Sequence, residues 1–311
     1  MKYAIGIDIG GTNTDIGIVD KQGNCIGRER ILTESYHDPS LYADALAKSI
    51  RRLMLTYQVD DISGVGIGAP NGNYYTGCME NAVNLNFKGE VCLRDLIRDR
   101  INLPVVITND ANAAAYGEMI YGGAQKMKHF IMITLGTGVG SGIVIDGKLV
   151  YGCDGFAGEL GHAIVLPNGR ACNCGREGCL EQYTSAGGIK KSYIAFAKEK
   201  LGEKYSIKEE DISSKNIAKM AEEGDSVALR VFEFTGEVLG LALANAVAFS
   251  SPEAIFLMGG PVKAGEILLE PLRRSFDNNL LFIYKGKVKI FTSQLNENDA
   301  AILGAAALTW E

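Results

Sequence analysis

No run of lysine and arginine in this chain is long enough to track a phosphate backbone, and the formal net charge is −6. That combination argues against nucleic acid as a partner. It leaves phosphorylated small molecules open, because backbone amides hold phosphate without net basicity. The N-terminus, MKYAIGIDIGG, lacks the apolar length of a signal peptide and runs straight into a strand-and-turn pattern. No stretch is long enough to span a bilayer. The most apolar region, Val238 to Phe249, is flanked by Arg230, Glu233 and Glu237 and contains Asn245. A buried helix accounts for it better than a membrane span. Low-complexity tracts are absent too, so the expectation is a folded, cytoplasmic protein with no membrane or nucleic-acid partner. Histidine is scarce, with three in 311 residues, and the cysteine count of seven is odd. Three of those cysteines are tightly clustered. In a chain without an export signal, clustered cysteines point to metal before disulfide.

The composition that remains, 47% hydrophobic and 22% charged, is that of a globular protein, and 311 residues suit two lobes better than one core. The opening reads as strands at Tyr3 to Ile9, Asn13 to Val19 and Cys25 to Leu32. A helix follows from Pro39 to Tyr57, then a strand from Gly64 to Pro70, a helix from Leu93 to Ile101 and a strand from Val105 to Asn109. Asp110 is then placed to cap a helix running toward Gly122. Halfway along, the opening plan returns. DIGGTNTDIGIVDKQG and TLGTGVGSGIVIDGK both read strand, Gly/Thr turn, strand, polar turn, strand. This is an internal repeat of a supersecondary unit, which predicts two related lobes, each with a glycine-rich turn. Further helices are expected in the Lys/Glu-rich stretch, from Ser226 to Phe249 and from Asp299 to Thr309, with a strand from Ala254 to Met258. The lobe boundary falls near Gly117 to Gly123. The predicted division is residues 1–117 plus 299–311 as a small lobe, and 118–298 as a larger lobe that carries the cysteine loop.

Several groups in this frame can carry chemistry. Turns without Cβ atoms let backbone N–H groups approach phosphate oxygens, and threonine adds a hydroxyl donor. Gly10-Gly11-Thr12 and Gly136-Thr137-Gly138 fit, in matched positions of the repeat. Asp8 precedes the first turn and would repel phosphate unless a cation lies between, which implies Mg²⁺. His162, Cys172, Cys174 and Cys179 make a Cys₃His set suited to a closed, structural zinc site, with three buried thiols as the plainer alternative. Asn109-Asp110 joins a strand end to a helix start, where Asp110 fits a catalytic carboxylate and a helix cap equally. Glu159 and Glu181 bracket the cysteine loop and are suited to accept hydrogen bonds from vicinal hydroxyls. Gly259-Gly260 follows a strand and can open a nucleotide-facing turn, though such pairs are common.

These motifs resemble the ROK family of sugar kinases and repressors, within the two-lobed actin-like ATPase (ribonuclease H-like) α/β fold of duplicated β-β-β-α-β-α units. The resemblance spans essentially the whole chain. DIGGT at Asp8 to Thr12 and TLGTGVGSG at Thr134 to Gly142 look like the two phosphate motifs. GELGH at Gly158 to His162 and CNCGREGCLE at Cys172 to Glu181 look like the family signature and its zinc stretch. The resemblance implies an ATP-dependent hexose kinase, glucose first, with N-acetylmannosamine, mannose, allose and fructose as alternatives. It implies Asp110 as general base and Asn84, Asn109, Asp110, Glu159, His162 and Glu181 on the sugar. Gly10, Gly11, Thr12, Thr137 and Gly138 would line phosphates, with Gly259 and Gly260 toward the adenosine. Zinc would sit on His162, Cys172, Cys174 and Cys179. A homodimer, possibly a tetramer, is the implied assembly. One stretch departs from the pattern: where glucokinases often show Pro-Gly-x-Val-Asp, this chain has Ala69-Pro70-Asn71-Gly72-Asn73-Tyr74-Tyr75, which leaves the preferred sugar open. A sugar-responsive repressor is disfavoured because DIGGT begins at residue 8. An actin-like ATPase without a sugar substrate would leave GELGH and the zinc stretch without a purpose.

Overall fold

The computed structural model describes residues 2–82, 85–202, 212–296 and 299–310. The chain divides into two compact units. The first holds Met1–Lys128, Gly142–Gly158 and Ser293–Glu311, and the second holds His129–Ser141 and Glu159–Thr292.

In the first unit, β1 (Tyr3–Ile9), β2 (Asn13–Asp20) and β3 (Cys25–Leu32) form an antiparallel meander. β1 is covered on both faces, with Ala4, Ile5 and Ile7 fully buried, which is why its apolar residues run on instead of alternating. Helix α1 (Pro39–Tyr57) starts where Asp38 accepts from Ser40 N, with proline at the first helical position, and stops at Gln58 in the left-handed region. Tyr42, Leu46, Ile50 and Leu53 recur at helical spacing and are all buried. The chain then crosses to β4 (Ile62–Gly68), parallel to β1, and makes the short antiparallel pair β5 (Met79–Glu80) and β6 (Glu90–Val91). Cys78 and Cys92, just outside that pair, are joined as a disulfide. Helix α2 (Leu93–Ile101), strand β7 (Val105–Thr108) and helix α3 (Asp110–Tyr121) follow. The sheet order is β3-β2-β1-β4-β7. The C-terminal helix, Ala300–Ala307, packs so closely on this sheet that a Cβ on Gly66 would stand 1.8 Å from Ala305 O. Gly66→Ala would force the two apart.

The second sheet is built from β8 (Phe130–Leu135), β9 (Val139–Ile145), β10 (Lys148–Leu149), β11 (Ala254–Met258) and β12 (Lys289–Thr292), in the order β10-β9-β8-β11-β12. Position for position this is the order of the first sheet, and β8, β11 and β12 run parallel as β1, β4 and β7 do. The repeat read from the two Gly/Thr turns is therefore a repeat of topology. Helices α4 (Glu181–Thr184), α5 (Ala186–Leu201), α6 (Ser214–Glu222), α7 (Ser226–Ser250) and α8 (Glu266–Asn279) complete this part of the chain. The apolar run of Val238 to Phe249 lies inside α7, where Leu239, Leu243 and Val247 are fully buried. Among the described residues no helix is long and apolar enough to cross a membrane.

Most expected elements stand within a residue or two of their predicted bounds. One detail is corrected. The cap of α3 is Asn109, whose Oδ1 accepts from Asn112 N at 2.7 Å, and Asp110 is the first helical residue. Either residue type caps well, but only Asn109 has the extended backbone that turns its side chain onto the helix end. Helix α8, strand β12 and the β5–β6 pair were not anticipated.

Candidate active site

In the first unit the sheet register assembles the site. Asp8 on β1 is level with Gly68 on β4, and Gly68 is level with Thr108 on β7. All three lie at the carboxyl ends of parallel strands, where open α/β sheets hold ligands. Asp110 follows two residues later. A Cβ placed on Gly68 would stand 3.2 Å from Ala113 Cβ, 3.7 Å from Asp110 Cα and 4.0 Å from Asp8 Oδ1, so the start of α3 and Asp8 both lie close against this glycine. The first Gly/Thr turn, Gly10 to Thr12, leaves β1 directly above Asp8 in sequence and is closed by Gly10 N donating to Asn13 O at 2.9 Å.

Charge is concentrated here. Asp8 is pushed up to about 7, first by burial, then by Asp110 and by Asp15, its partner across the β1–β2 ladder. Asp110 is also raised, by desolvation, against the hydrogen bonds its carboxylate accepts from the Ala111 and Asp110 amides. Its side chain nevertheless keeps solvent access. Enclosing protein that raises a carboxylate, combined with an open approach, suits a base that must meet a substrate proton. Asp15 was not among the expected site residues, because only the β1–β2 register sets it opposite Asp8.

In the second unit the other motifs come together. The turn Gly136 to Gly138 is closed by Gly136 N donating to Gly138 O (3.0 Å), and Ala186 N, at the start of α5, donates to Gly136 O (2.9 Å). Gly259, at φ 114°, presses on the root of this turn: a Cβ there would fall 2.1 Å from Leu135 O. Gly260 faces open space. The GELGH segment is seated on β9, with Gly161 against Val139 O and Leu160 N donating to Ser141 Oγ at 3.3 Å. His162 N in turn donates to Glu159 O at 3.0 Å.

The Nδ1 or Nε2 of His162 and the Sγ atoms of Cys172, Cys174 and Cys179 all lie within 4.8 Å of one another. Cys174 Sγ and Cys179 Sγ are 3.6 Å apart, and Cys172 Sγ is 3.7 Å from His162 Nδ1. Zinc bonds of about 2.3 Å to sulfur and 2.0–2.1 Å to nitrogen give tetrahedral edges of roughly 3.4–3.8 Å, so the donor set fits a structural zinc ion. The loop backbone is shaped for it. Gly178, at φ 79°, stands where a Cβ would meet Leu166 O at 1.9 Å, and Cys172 N donates to Arg176 O at 2.8 Å. The thiols' electrostatics point the same way. The Arg176 amide, donating to its sulfur, lowers Cys174 to about 6. Cys179 is pushed up to about 12 by burial and by its hydrogen bonds with Cys174 and Cys172. Burial and the neighbouring sulfur of Cys174 raise Cys172 as well, so the three could ionise together only with a cation among them. Arg176, unremarked in the sequence, also ties the loop by donating to His162 O at 2.8 Å.

Glu181 links the metal loop to the phosphate turn. Its Oε1 accepts from Cys172 Sγ (3.1 Å) and lies 4.0 Å from His162 Nδ1. On the other side, a Cβ on Gly138 would be 2.9 Å from Glu181 Oε2. The structure thus gathers Asp8, Gly10 to Thr12, Asn109 and Asp110 in the first unit. It gathers Thr137, Gly138, Glu159, His162, Cys172, Cys174, Cys179, Glu181, Gly259 and Gly260 in the second. Asn84 lies outside the described residues.

Two glycine-rich turns on matched sheets define a protein of the two-lobed actin-like ATPase fold. Within it, the ROK family pattern matches residues 4–311, and the chain belongs to the ROK family. It is 33% identical to a glucokinase of Halalkalibacterium halodurans, over 99% of this chain and 94% of that one. It is 35% identical to a glucokinase of Thermotoga maritima, over 99% and 97%. Among solved structures, a ROK family glucokinase from Streptomyces griseus in complex with glucose and AMPPNP matches with a TM-score of 0.81 at 33% identity, covering 98% of each chain.

Proposed function

We propose that this chain is an ATP-dependent hexose kinase whose first substrate is glucose, giving glucose 6-phosphate. The observation that carries the reading is the placement of Asp8 and Asp110 at the carboxyl ends of β1 and β7, near enough for each charge to be felt by the other, with a Gly/Thr turn following Asp8. The relatives named above agree with it in being glucokinases.

Phosphoryl transfer runs through a loose transition state, so positioning and charge neutralisation outweigh base strength. Asp110 takes the proton of the attacking hydroxyl, that on C6. Asn109, Glu159, His162 and Glu181 accept from or donate to the remaining hydroxyls. The amides of Gly11 and Thr12 and of Thr137 and Gly138 hold phosphate oxygens of ATP, those of Gly10 and Gly136 being spent on closing the turns, and Gly260 leaves backbone open toward the adenosine. Asp8 would hold Mg²⁺, which neutralises charge on the phosphates. His162, Cys172, Cys174 and Cys179 would hold a structural zinc ion, which would fix the loop that carries His162 and precedes Glu181. The first unit supplies Asp8, the first phosphate turn, Asn109 and Asp110, and the second supplies the other phosphate turn, the remaining sugar ligands and the zinc loop.

The test is ADP release with ATP and Mg²⁺ against a panel of hexoses and N-acetylhexosamines. Glucose should give the highest kcat/KM. Sugar-independent ATP hydrolysis with no stimulation by any hexose would replace this reading with an ATPase of other purpose.

The carboxylates also set a pH profile. Asp8 and Asp110 are acids with raised pKa, so both lose charge as pH falls, and they do so at a higher pH than ordinary carboxylates. Turnover needs both ionised. The acid limb of kcat/KM should therefore lie toward neutrality, well above the ordinary 3.8. Raising Mg²⁺ should move it to lower pH, because a bound cation favours charged Asp8. A profile flat from pH 5 to 8 at fixed Mg²⁺ would contradict this.

A further inference from the structure

The loop between β4 and β5 is where this chain leaves the glucokinase pattern. It is rooted beside Asp110: Ala69 N donates to Thr108 O at 3.0 Å, and a Cβ on Gly72 would stand 2.4 Å from that same oxygen. Asn71 Nδ2 donates to Glu80 O at 2.9 Å, closing the start of the loop on its end. Asn73 is only 2% exposed and ties in two directions. Its Oδ1 accepts from Tyr75 N (2.9 Å), and its Nδ2 donates to Asp154 O (2.7 Å). Tyr75 Oη donates to Gly152 O at 2.9 Å. The loop is thus fastened, within the first unit, to the segment from Tyr151 to Gly158 that leads into Glu159.

Those ties gather three tyrosines. Tyr74 stacks on Tyr151 with centroids 4.2 Å apart and planes 9° from parallel. Tyr75 meets Tyr74 at 5.7 Å and 73°, and Tyr151 at 6.0 Å and 64°. The cluster is not core. Tyr75 is 52% exposed, and Tyr74 and Tyr151 are half-buried. The neighbouring pair Tyr42 and Phe87, by contrast, is buried. Aromatic surface held on a hydrogen-bonded backbone is pre-organised for contact, since tyrosine offers rigid amphipathic area at low entropic cost. A pyranose is its complement, with C–H groups on both faces and equatorial hydroxyls at the rim.

We propose that Tyr74, Tyr75 and Tyr151 form an aromatic wall of the sugar site that receives one face of the pyranose ring and determines specificity. The proposal rests on the hexose kinase reading above. A flat wall favours glucose, whose ring hydroxyls can all be equatorial. It rejects an epimer whose axial hydroxyl projects from the stacked face. Mannose carries its axial hydroxyl at C2 and allose at C3, on opposite faces, so the epimer that is rejected reports which face is stacked.

The experiment measures kcat and KM for glucose, mannose, allose and ATP on the wild type and on Tyr74→Phe, Tyr74→Leu, Tyr74→Ala and Tyr151→Ala. Losing the wall should raise the glucose KM about tenfold, the scale of one well-packed aromatic contact. The ATP KM should hold, and glucose preference over one epimer should collapse. Tyr74→Phe should behave as wild type, because the ring face and not the hydroxyl is used. Tyr74→Leu keeps apolar bulk without a flat face and should resemble Tyr74→Ala, which covers the case of an alanine variant that does not fold. Unchanged glucose KM and unchanged epimer ratios in the Leu and Ala variants would overturn the wall. So would a uniform rise in every KM with a lowered Tm and unchanged ratios, which is the mark of a merely structural loop. A wild type that phosphorylates no hexose would instead remove the kinase reading itself, and the wall with it.

Discussion

Asp110→Asn should lower kcat by about 10²–10⁴-fold, the usual contribution of a positioned general base, while sugar affinity stays within a few-fold. The substitution is nearly isosteric. The hydrogen bond that the Asp110 carboxylate accepts from Ala111 N at 2.8 Å can be kept by the amide oxygen, so the start of α3 should not move. The cap, Asn109, is untouched. What is lost is the group that takes the hydroxyl proton. The same variant has a second signature. Asp110 is one of the charges that hold Asp8 up near 7, so removing it should let Asp8 ionise at lower pH and bind Mg²⁺ more readily. Calorimetry with the sugar, steady-state turnover and an Mg²⁺ titration separate the cases. Near-wild-type turnover would remove Asp110 as the base. Lost sugar binding with proportionate loss of turnover would make it a binding residue instead.

What could be read from the sequence was local. The meander β1–β3, helix α1 with Asp38 and Pro39 at its start, and the Cys-x-Cys of the metal loop all announce themselves within a few residues. The repeat was legible because both copies keep a Gly/Thr turn between apolar strands. Asn109 and Asp110 were confused by one place because both residue types cap helices, and only the backbone angles decide between them. Helix α8 was missed for a different reason. Pro271 stands inside it, a residue that argues against a helix, and the packing of Leu268, Leu269, Leu272 and Phe276 overrides that local cost. The meetings of loops and side chains far apart in sequence gave no signal. Tyr74 finds Tyr151 and Asn73 finds Asp154 across some eighty residues, and Asp15 meets Asp8 only because the β1–β2 register sets them opposite. Glu181 was expected near the sugar on family grounds, but its contact with both Cys172 and the Gly138 turn follows from the fold alone.

Removing zinc, by chelation or through Cys174→Ala, should cost about 10–100-fold in kcat/KM for the sugar and lower the Tm together, as loss of supporting ligands at a metal site does. Protein as purified should carry one zinc per chain. Two features make the loop depend on the ion. Cys172 and Cys179 are buried thiols beside a third, and their only compensation without metal is to stay protonated, which leaves Cys172 donating to Glu181. Were Cys172 a zinc ligand it would be a thiolate and could not donate, which would leave the carboxylate of Glu181 free for the sugar hydroxyls proposed above. Metal removal should therefore act on sugar KM more than on ATP KM, and readdition of zinc to chelated wild type should restore it. Reductant is needed throughout, because Cys174 and Cys179, 3.6 Å apart, can otherwise oxidise to a disulfide and block readdition. Cys153, exposed and outside the metal cluster, is the matched control, and its alanine variant should change neither zinc content nor kinetics. Metal-free protein with normal sugar kinetics and an unchanged Tm would show that the loop holds its shape by backbone hydrogen bonds alone, and that Glu181 reaches its place without the ion.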